Sequence, residues 1–159
     1  MAPVSRTATL GILLTIAVLW IAALAAAPIA ASPRLSAVTY AAGSLICHQR
    51  PERSFQYEGA QYPVCARCFG LYAGAVGGVL LWAAVGGVGR TTSRRAARLT
   101  EPGVVRRLLI ITALPTVATV AASWLGWWDA GNIARAILAI PLGATMAGTI
   151  AAVAAGDLR

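Results

Sequence analysis

The sequence predicts an all-α polytopic membrane protein, with four transmembrane helices and one extracytoplasmic loop that carries a cysteine and histidine cluster. Three observations lead to this fold class. The 159-residue chain is 58% hydrophobic and only 11% charged, whereas soluble domains carry about 25% charged residues. Four apolar stretches approach the length of about 20 residues that a bilayer core requires of a helix. All three cysteines and the only histidine lie between Cys47 and Cys68.

The apolar stretches divide a single membrane domain, residues 1–159, into spans and loops. The spans run from about residue 9 to 31, 64 to 88, 107 to 124 and 133 to 155. The first stretch has a basic start and small residues at its end, as a signal peptide does. Its apolar part exceeds the roughly 7–15 residues of a signal sequence. We therefore expect a retained helix.

The loops between the spans differ in composition. An outer loop covers about residues 32–63 and an Arg-rich cytoplasmic loop covers about residues 89–106. In the outer loop, Ser32 and Pro33 are typical of a helix start. The stretch that they begin, PRLSAVTYAAGSLI, is too short to span a bilayer. We expect a short surface helix here, followed by an irregular polar loop over about residues 50–61.

The charges predict an orientation and exclude one class of partner. The net charge is +8, and six arginines lie between the second and third spans: Arg90, Arg94, Arg95, Arg98, Arg106 and Arg107. No aromatic residue interleaves them to stack on bases, so we expect the lipid bilayer as partner and no nucleic acid. With the amino terminus inside, eight of the 13 arginines are cytoplasmic. We therefore expect both termini in the cytoplasm of a prokaryote, with the cysteine cluster outside its plasma membrane.

The cysteine cluster predicts a metal site. Cys65 and Cys68 are three residues apart at a predicted helix start, so they share one face. Free backbone amides at a helix start favour the thiolate form. Together with Cys47 and His48 they match a Cys3His zinc set, with copper and iron as alternatives. The adjacency of Cys47 and His48 is unfavourable, because neighbouring side chains normally point apart. We expect a metal site with a structural or accessory role.

Two other functions of the cysteines stay open at this point. In the redox alternative, Cys65 and Cys68 exchange disulfides as the catalytic pair, Cys47 resolves them, His48 accepts a proton, and a quinone is the cofactor. In the simplest alternative, Cys47 forms a stabilising disulfide with Cys65 or Cys68, as the oxidising outer compartment allows. The sequence leaves open whether the protein is an enzyme.

Other residues of the second span predict packing and support. Gly70, Gly74 and Gly78 form a stripe of small residues that lets another helix approach closely. That helix belongs to the same chain, to a second copy or to another membrane protein. Three further residues are expected to support the site: Arg53, Arg67 and Tyr72. For Arg67, a charge entering the membrane, we expect a carboxylate partner from among Glu52, Glu58 and Asp129.

The segments CHQRPERSF and PVCARCFGLYAG resemble the signature of a domain-of-unknown-function family of small prokaryotic multi-pass membrane proteins. The resemblance covers about Ser44 to Gly78 and includes Cys47, His48, Gln49, Arg53, Ser54, Phe55, Pro63, Cys65, Arg67, Cys68, Gly70, Tyr72 and Gly74. It implies a membrane protein with a site at these residues and names no reaction. A four-helix layout with CxxC at an outer helix end also resembles the quinone-linked disulfide-generating proteins and the vitamin K epoxide reductases. Those proteins carry a second cysteine pair, which this chain lacks.

Overall fold

A computed structural model describes residues 5–30, 32–86 and 94–157, without the side chains of Arg94 and Arg95. Arg90 and Arg159, which the orientation argument counts, lie outside the described residues. The elements are α1 (Arg6–Ala26), α2 (Pro33–Ile46), β1 (Ser54–Tyr57), β2 (Ala60–Cys65), α3 (Ala66–Gly86), α4 (Arg94–Leu99), α5 (Pro102–Trp124) and α6 (Gly131–Ala154). A 3-10 turn, Ala27–Ile29, extends α1, and a second, Pro51–Arg53, precedes β1.

Four helices are long and apolar enough to cross a membrane. They are α1 with its 3-10 turn, α3, α5 and α6. Large apolar side chains on all four remain exposed, such as Leu19, Leu81, Ile111 and Ile137. In water such surfaces would be unfavourable, whereas a bilayer solvates them. The predicted fold class, an all-α polytopic membrane protein with four spanning helices, is confirmed.

The closest helix pair in the described chain is α3 against α6, and glycines make it possible. Cβ atoms added at Gly70, Gly74 and Gly78 would overlap the backbone of α6 at Ala136, Ile140 and Ala144 respectively. The order of contacts is the same along both helices, so α3 and α6 run in the same direction. The small-residue stripe therefore packs within the chain, where it lets two backbones touch.

The segment expected to be an irregular loop is instead a β-hairpin. Strands β1 and β2 pair antiparallel around a two-residue turn. Glu58 (φ 48°) and Gly59 (φ 82°) both have left-handed backbones, the conformation of a type I′ hairpin turn. Val64 and Cys65, expected in the second span, belong to β2, and the helix begins at Ala66. The irregular-loop expectation was wrong because polar composition hid the alternation of the two strands.

The two ends of the helix bundle are chemically different. At one end, Arg6 at the start of α1 forms an ion pair of 2.8 Å with Asp157, which follows α6. Arg6 also donates to the carbonyl oxygen of Gly86, at the end of α3, over 2.9 Å. At the other end, the hairpin meets the start of α6, where Asn132 donates to the carbonyl oxygen of Ser54 over 2.9 Å. The cysteines lie at the hairpin end.

Candidate metal centre

Three different elements bring the three cysteines together. Cys47 follows the end of α2, Cys65 ends β2, and Cys68 lies in the first turn of α3. Their three sulfur atoms all lie within 4.8 Å of one another. Cys47 and Cys65 are buried, Cys68 is half-buried, and all three are free thiols. None of the disulfides considered for them is formed.

A network of glutamine hydrogen bonds holds the segment that carries Cys47. The side chain of Gln49, whose backbone is left-handed (φ 46°), donates to the carbonyl oxygens of Tyr40 (2.9 Å) and Pro63 (2.7 Å). In return, the Gln61 side chain donates to the carbonyl oxygen of Gln49 over 2.6 Å. The Tyr40 hydroxyl donates to the carbonyl oxygen of Gln61. These bonds fasten α2 and the residues after it to β2.

Apolar and aromatic contacts fasten the hairpin to α3. Phe55, Tyr62 and Phe69 form three edge-to-face pairs with ring centroids 5.7–6.1 Å apart. Such pairs contribute about 0.5–1.5 kcal/mol each beyond the burial of area. Below them, Leu24 and Val64 pack with Cys47 and Cys65 in one buried cluster. The cysteines are therefore held by packing that does not depend on a bound ion.

The environment of Cys65 favours its thiolate. The thiol of Cys68 hydrogen-bonds to it and, together with the Cys68 backbone and the Cys47 thiol, lowers the pKa of Cys65 from 9.0 to about 5, against the opposing effect of burial. The Cys65 backbone N–H in turn donates to the Cys47 sulfur over 3.1 Å. Thiolate is the form in which cysteine binds metals and acts as a nucleophile.

His48 is not part of the sulfur group, which corrects the four-ligand prediction. Cys47 has an extended backbone (φ −144°, ψ 141°), and successive side chains of an extended chain point to opposite sides. Cys47 is therefore buried and His48 exposed. The Nδ1 atom of His48 accepts the backbone N–H of Arg50 over 3.2 Å. A neutral imidazole that accepts at Nδ1 carries its proton on Nε2 and has no lone pair left for an ion.

The sulfur group fits a thiophilic ion. Zinc binds sulfur at about 2.3 Å, so three thiolates of a tetrahedral site lie roughly 3.8 Å apart. Sulfur atoms already within 4.8 Å of one another reach that spacing with small side-chain rotations. All three donors are soft thiols, which select zinc or copper over magnesium or calcium.

The supporting residues differ from expectation at one position. Tyr72 packs beside Cys68 in the buried cluster, edge-to-face with Trp20 at 5.9 Å. Arg67 donates to the hydroxyl of Thr119 on α5 over 3.3 Å, and it forms no ion pair with any residue in the described ranges. The carboxylate partner expected for Arg67 was wrong, because Asp129 pairs with Arg135 instead.

Asp129 lies in the exposed turn between α5 and α6. Its Oδ1 atom accepts the backbone N–H of Gly131 over 3.0 Å and a guanidinium N–H of Arg135. These bonds, the first above all, hold the pKa of Asp129 below its usual range. The carboxylate therefore stays charged beside Arg135 at neutral pH.

Sequence reasoning missed the residues that position the site. Gln49, Gln61 and Asn132 carry no chemistry of their own, and they act only through hydrogen bonds between distant segments. The hairpin had a local signal in the Glu58–Gly59 pair between alternating residues. The partner carbonyls of these amides had none, because they are 12 to 78 positions away in the chain.

Comparison with known proteins places the chain in a family. Residues 47–149 match the family described as "Predicted membrane protein (DUF2085)". An uncharacterized protein of Methanocaldococcus jannaschii is 50% identical over 48 residues, which are 30% of this chain and 31% of that protein. An uncharacterized protein of Methanothermobacter thermautotrophicus is 31% identical over 102 residues, which are 64% of this chain and 81% of that protein. No solved structure matches the chain.

The match to the family covers more than half of the chain and includes all three cysteines and the α3–α6 helix pair. The resemblance drawn from the sequence is thereby confirmed at the level of the family. The chain belongs to the DUF2085 family of predicted membrane proteins.

Proposed function

We propose that Cys47, Cys65 and Cys68 bind one metal ion, zinc in the first place, at the hairpin end of the bundle. The observation that carries this proposal is the meeting of three sulfur atoms within 4.8 Å. They come from three elements that share no other reason to place thiols together. The fourth position of the ion is filled by water, because His48 is exposed and turned away.

The charge of the surroundings suits such an ion. Three thiolates and one divalent ion carry one net negative charge. The guanidinium of Arg67 lies close enough to Cys65 to interact with it electrostatically. A cation of this kind offsets the cost of placing a charged centre near the membrane. The ion would connect α2, β2 and α3, which gives it a structural role.

The arginine distribution supports an outward position of this site in the plasma membrane of a prokaryote. Arg6, Arg98, Arg106 and Arg107 are at or near the end of the bundle opposite the hairpin. Cytoplasmic loops carry the excess of arginine. On this proposal both chain termini are cytoplasmic, and Trp124, Trp127 and Trp128 lie in the outer headgroup region.

The metal proposal is tested by elemental analysis of detergent-purified protein. We expect about one equivalent of zinc in the unchanged chain and less than a tenth of that in Cys65→Ser, because two thiolates no longer enclose the ion. Chelation should lower the unfolding temperature by about 5–10 °C. An ion at about 100 times its Kd contributes roughly 2.7 kcal/mol, and about 2–4 °C corresponds to each kcal/mol in a chain of this size.

The matched control is His48→Ala, which should retain the full equivalent of zinc. Loss of zinc from this variant would restore the Cys3His set and contradict the proposed water ligand. Absence of any metal, together with a reducible Cys65–Cys68 disulfide and quinone turnover, would overturn the metal proposal in favour of the redox alternative. Absence of both metal and turnover would leave the cysteines a packing role and would equally overturn it.

A further inference from the structure

A second cluster of charged side chains lies beside the cysteines, and the proposed metal function does not use it. Arg135, near the start of α6, is only 3% exposed. Its guanidinium donates to the carboxylate of Asp129 and, over 3.0 Å, to the side-chain oxygen of Asn132. Arg67 interacts electrostatically with both Arg135 and Arg53. Arg53 also acts on Asp129, so the three arginines surround one carboxylate.

This arginine cluster (Arg53, Arg67 and Arg135) is rich in donors and poor in acceptors. Each guanidinium offers five N–H donors and no acceptor. The Nε atoms of Arg67 and Arg135 are buried and have no hydrogen-bond partner among the described residues. The Arg53 side chain, half-exposed above them, forms no hydrogen bond or ion pair with any residue that the structure describes. Buried polar groups of native proteins are nearly always paired, so the cluster calls for an acceptor from outside the chain.

The charges of the cluster indicate the kind of acceptor. Three guanidinium groups face the carboxylate of Asp129 and the sulfur of Cys65, which also interacts with Arg67. Even with Cys65 as thiolate, about one positive charge stays uncompensated. Guanidinium forks match the oxygen spacing of phosphate and carboxylate. A group with several acceptor oxygens and about one negative charge would complete this balance.

We propose that the arginine cluster binds a phosphate group, supplied by an anionic lipid headgroup or by free phosphate. The cluster lies where α3 and α6 begin, at the end of the bundle that carries Trp124, Trp127 and Trp128. Tryptophans mark the headgroup depth of a bilayer, where lipid phosphates are found. The proposal does not depend on a bound metal, since none of the three arginines is a metal ligand.

The test is a titration of the delipidated, detergent-purified full chain, with binding followed by calorimetry. One arm uses phosphatidylglycerol in mixed micelles, and the other uses inorganic phosphate in the same detergent. We expect saturable binding in at least one arm, and Arg53→Gln should weaken it about tenfold, the effect of roughly one charge-assisted hydrogen bond. Arg53 is the preferred position because its half-exposed side chain has no role in packing.

The matched control is Arg50→Gln, which removes the same charge three residues away from an exposed side chain outside the cluster. Its affinity should equal that of the unchanged chain. Tighter binding of phosphatidylglycerol identifies the lipid as the source, and tighter binding of inorganic phosphate identifies a soluble anion. Binding in neither arm overturns the proposal, as does an equal loss in Arg50→Gln and Arg53→Gln, which would show general charge attraction.

Discussion

The three cysteines occupy different environments although their sulfur atoms meet. Cys68 lies in the first turn of α3 and donates its thiol to Cys65. Cys47 receives the backbone N–H of Cys65 over 3.1 Å. Hydrogen bonds to a sulfur favour its charged form, whereas burial opposes it. For Cys65 the hydrogen bonds prevail, and this residue is therefore the first of the three to be a thiolate when no ion is bound.

We expect the thiolate of Cys65 to titrate near pH 5 in protein stripped of metal. Its folded pKa of about 5 lies below the ordinary 9.0, so the stabilisation is complete above pH 9 and is lost as the pH falls toward 5. Ultraviolet thiolate absorbance of the stripped protein measures this step. Cys65→Ser should abolish it, and a first thiolate that forms only near pH 9 would contradict the assignment.

At the level of the elements, α3 is the centre of the molecule. It contacts α1 through a buried cluster of Leu10, Val79 and Trp82, and it contacts α6 through its glycine stripe. On the other side of α6, Thr116 of α5 donates to the carbonyl oxygen of Leu138 over 3.1 Å. Because backbones touch along α3 and α6, the positions of Cys68 and Arg135 relative to each other depend on this one interface.

Gly78→Ala should destabilise the protein, and Gly77→Ala should not. A Cβ at Gly78 would overlap Ala144, whereas a Cβ at Gly77 would meet nothing within 4 Å. Overpacking costs about 1–3 kcal/mol, and an unhindered Gly→Ala change in a helix is neutral or stabilising by up to about 1 kcal/mol. Unfolding in detergent, monitored by circular dichroism, measures both variants. Equal stability of the two would show that the α3–α6 contact is looser than described.

The whole molecule is polar along its long axis in the chemical sense. The hairpin end holds the cysteines, the arginine cluster and the exposed tryptophans, and the opposite end holds Arg6 and Asp157 beside Gly86. The indole N–H of Trp82 also donates to Asp157 over 3.1 Å. These contacts tie the first and last spanning helices to the same end of the bundle. An even number of spans gives the same result by counting.

In intact cells, a membrane-impermeant maleimide should label Glu58→Cys and leave Glu101→Cys unlabelled. Glu58 is exposed at the tip of the hairpin, and Glu101 is exposed at the start of α5, at the opposite end. The positive-inside rule places the second end in the cytoplasm. Permeabilised cells should label both variants, and the unchanged chain gives the background from its three native cysteines. Labelling of Glu101→Cys alone in intact cells would invert the proposed orientation.

Much of the architecture could be predicted from the sequence, because it depends on properties that are local. Apolar length indicates a spanning helix wherever the helix later packs. Ser32 and Pro33 predicted the start of the short helix α2, and the clustering of thiols between Cys47 and Cys68 located the candidate site. The hairpin was missed although Glu58 and Gly59 carried a local turn signal.

The composition of the site was not predictable in the same way, because it depends on directions and long-range partners. Cys47 rather than His48 joins the other sulfurs, since an extended backbone turns neighbouring side chains apart and the hydrogen bonds of Gln49 choose which one faces inward. Asp129 serves Arg135 and not Arg67 because α6, packed on the glycines of α3, brings Arg135 to it first. Residue types are written in the chain, but the distances between their atoms exist only after the helices have packed.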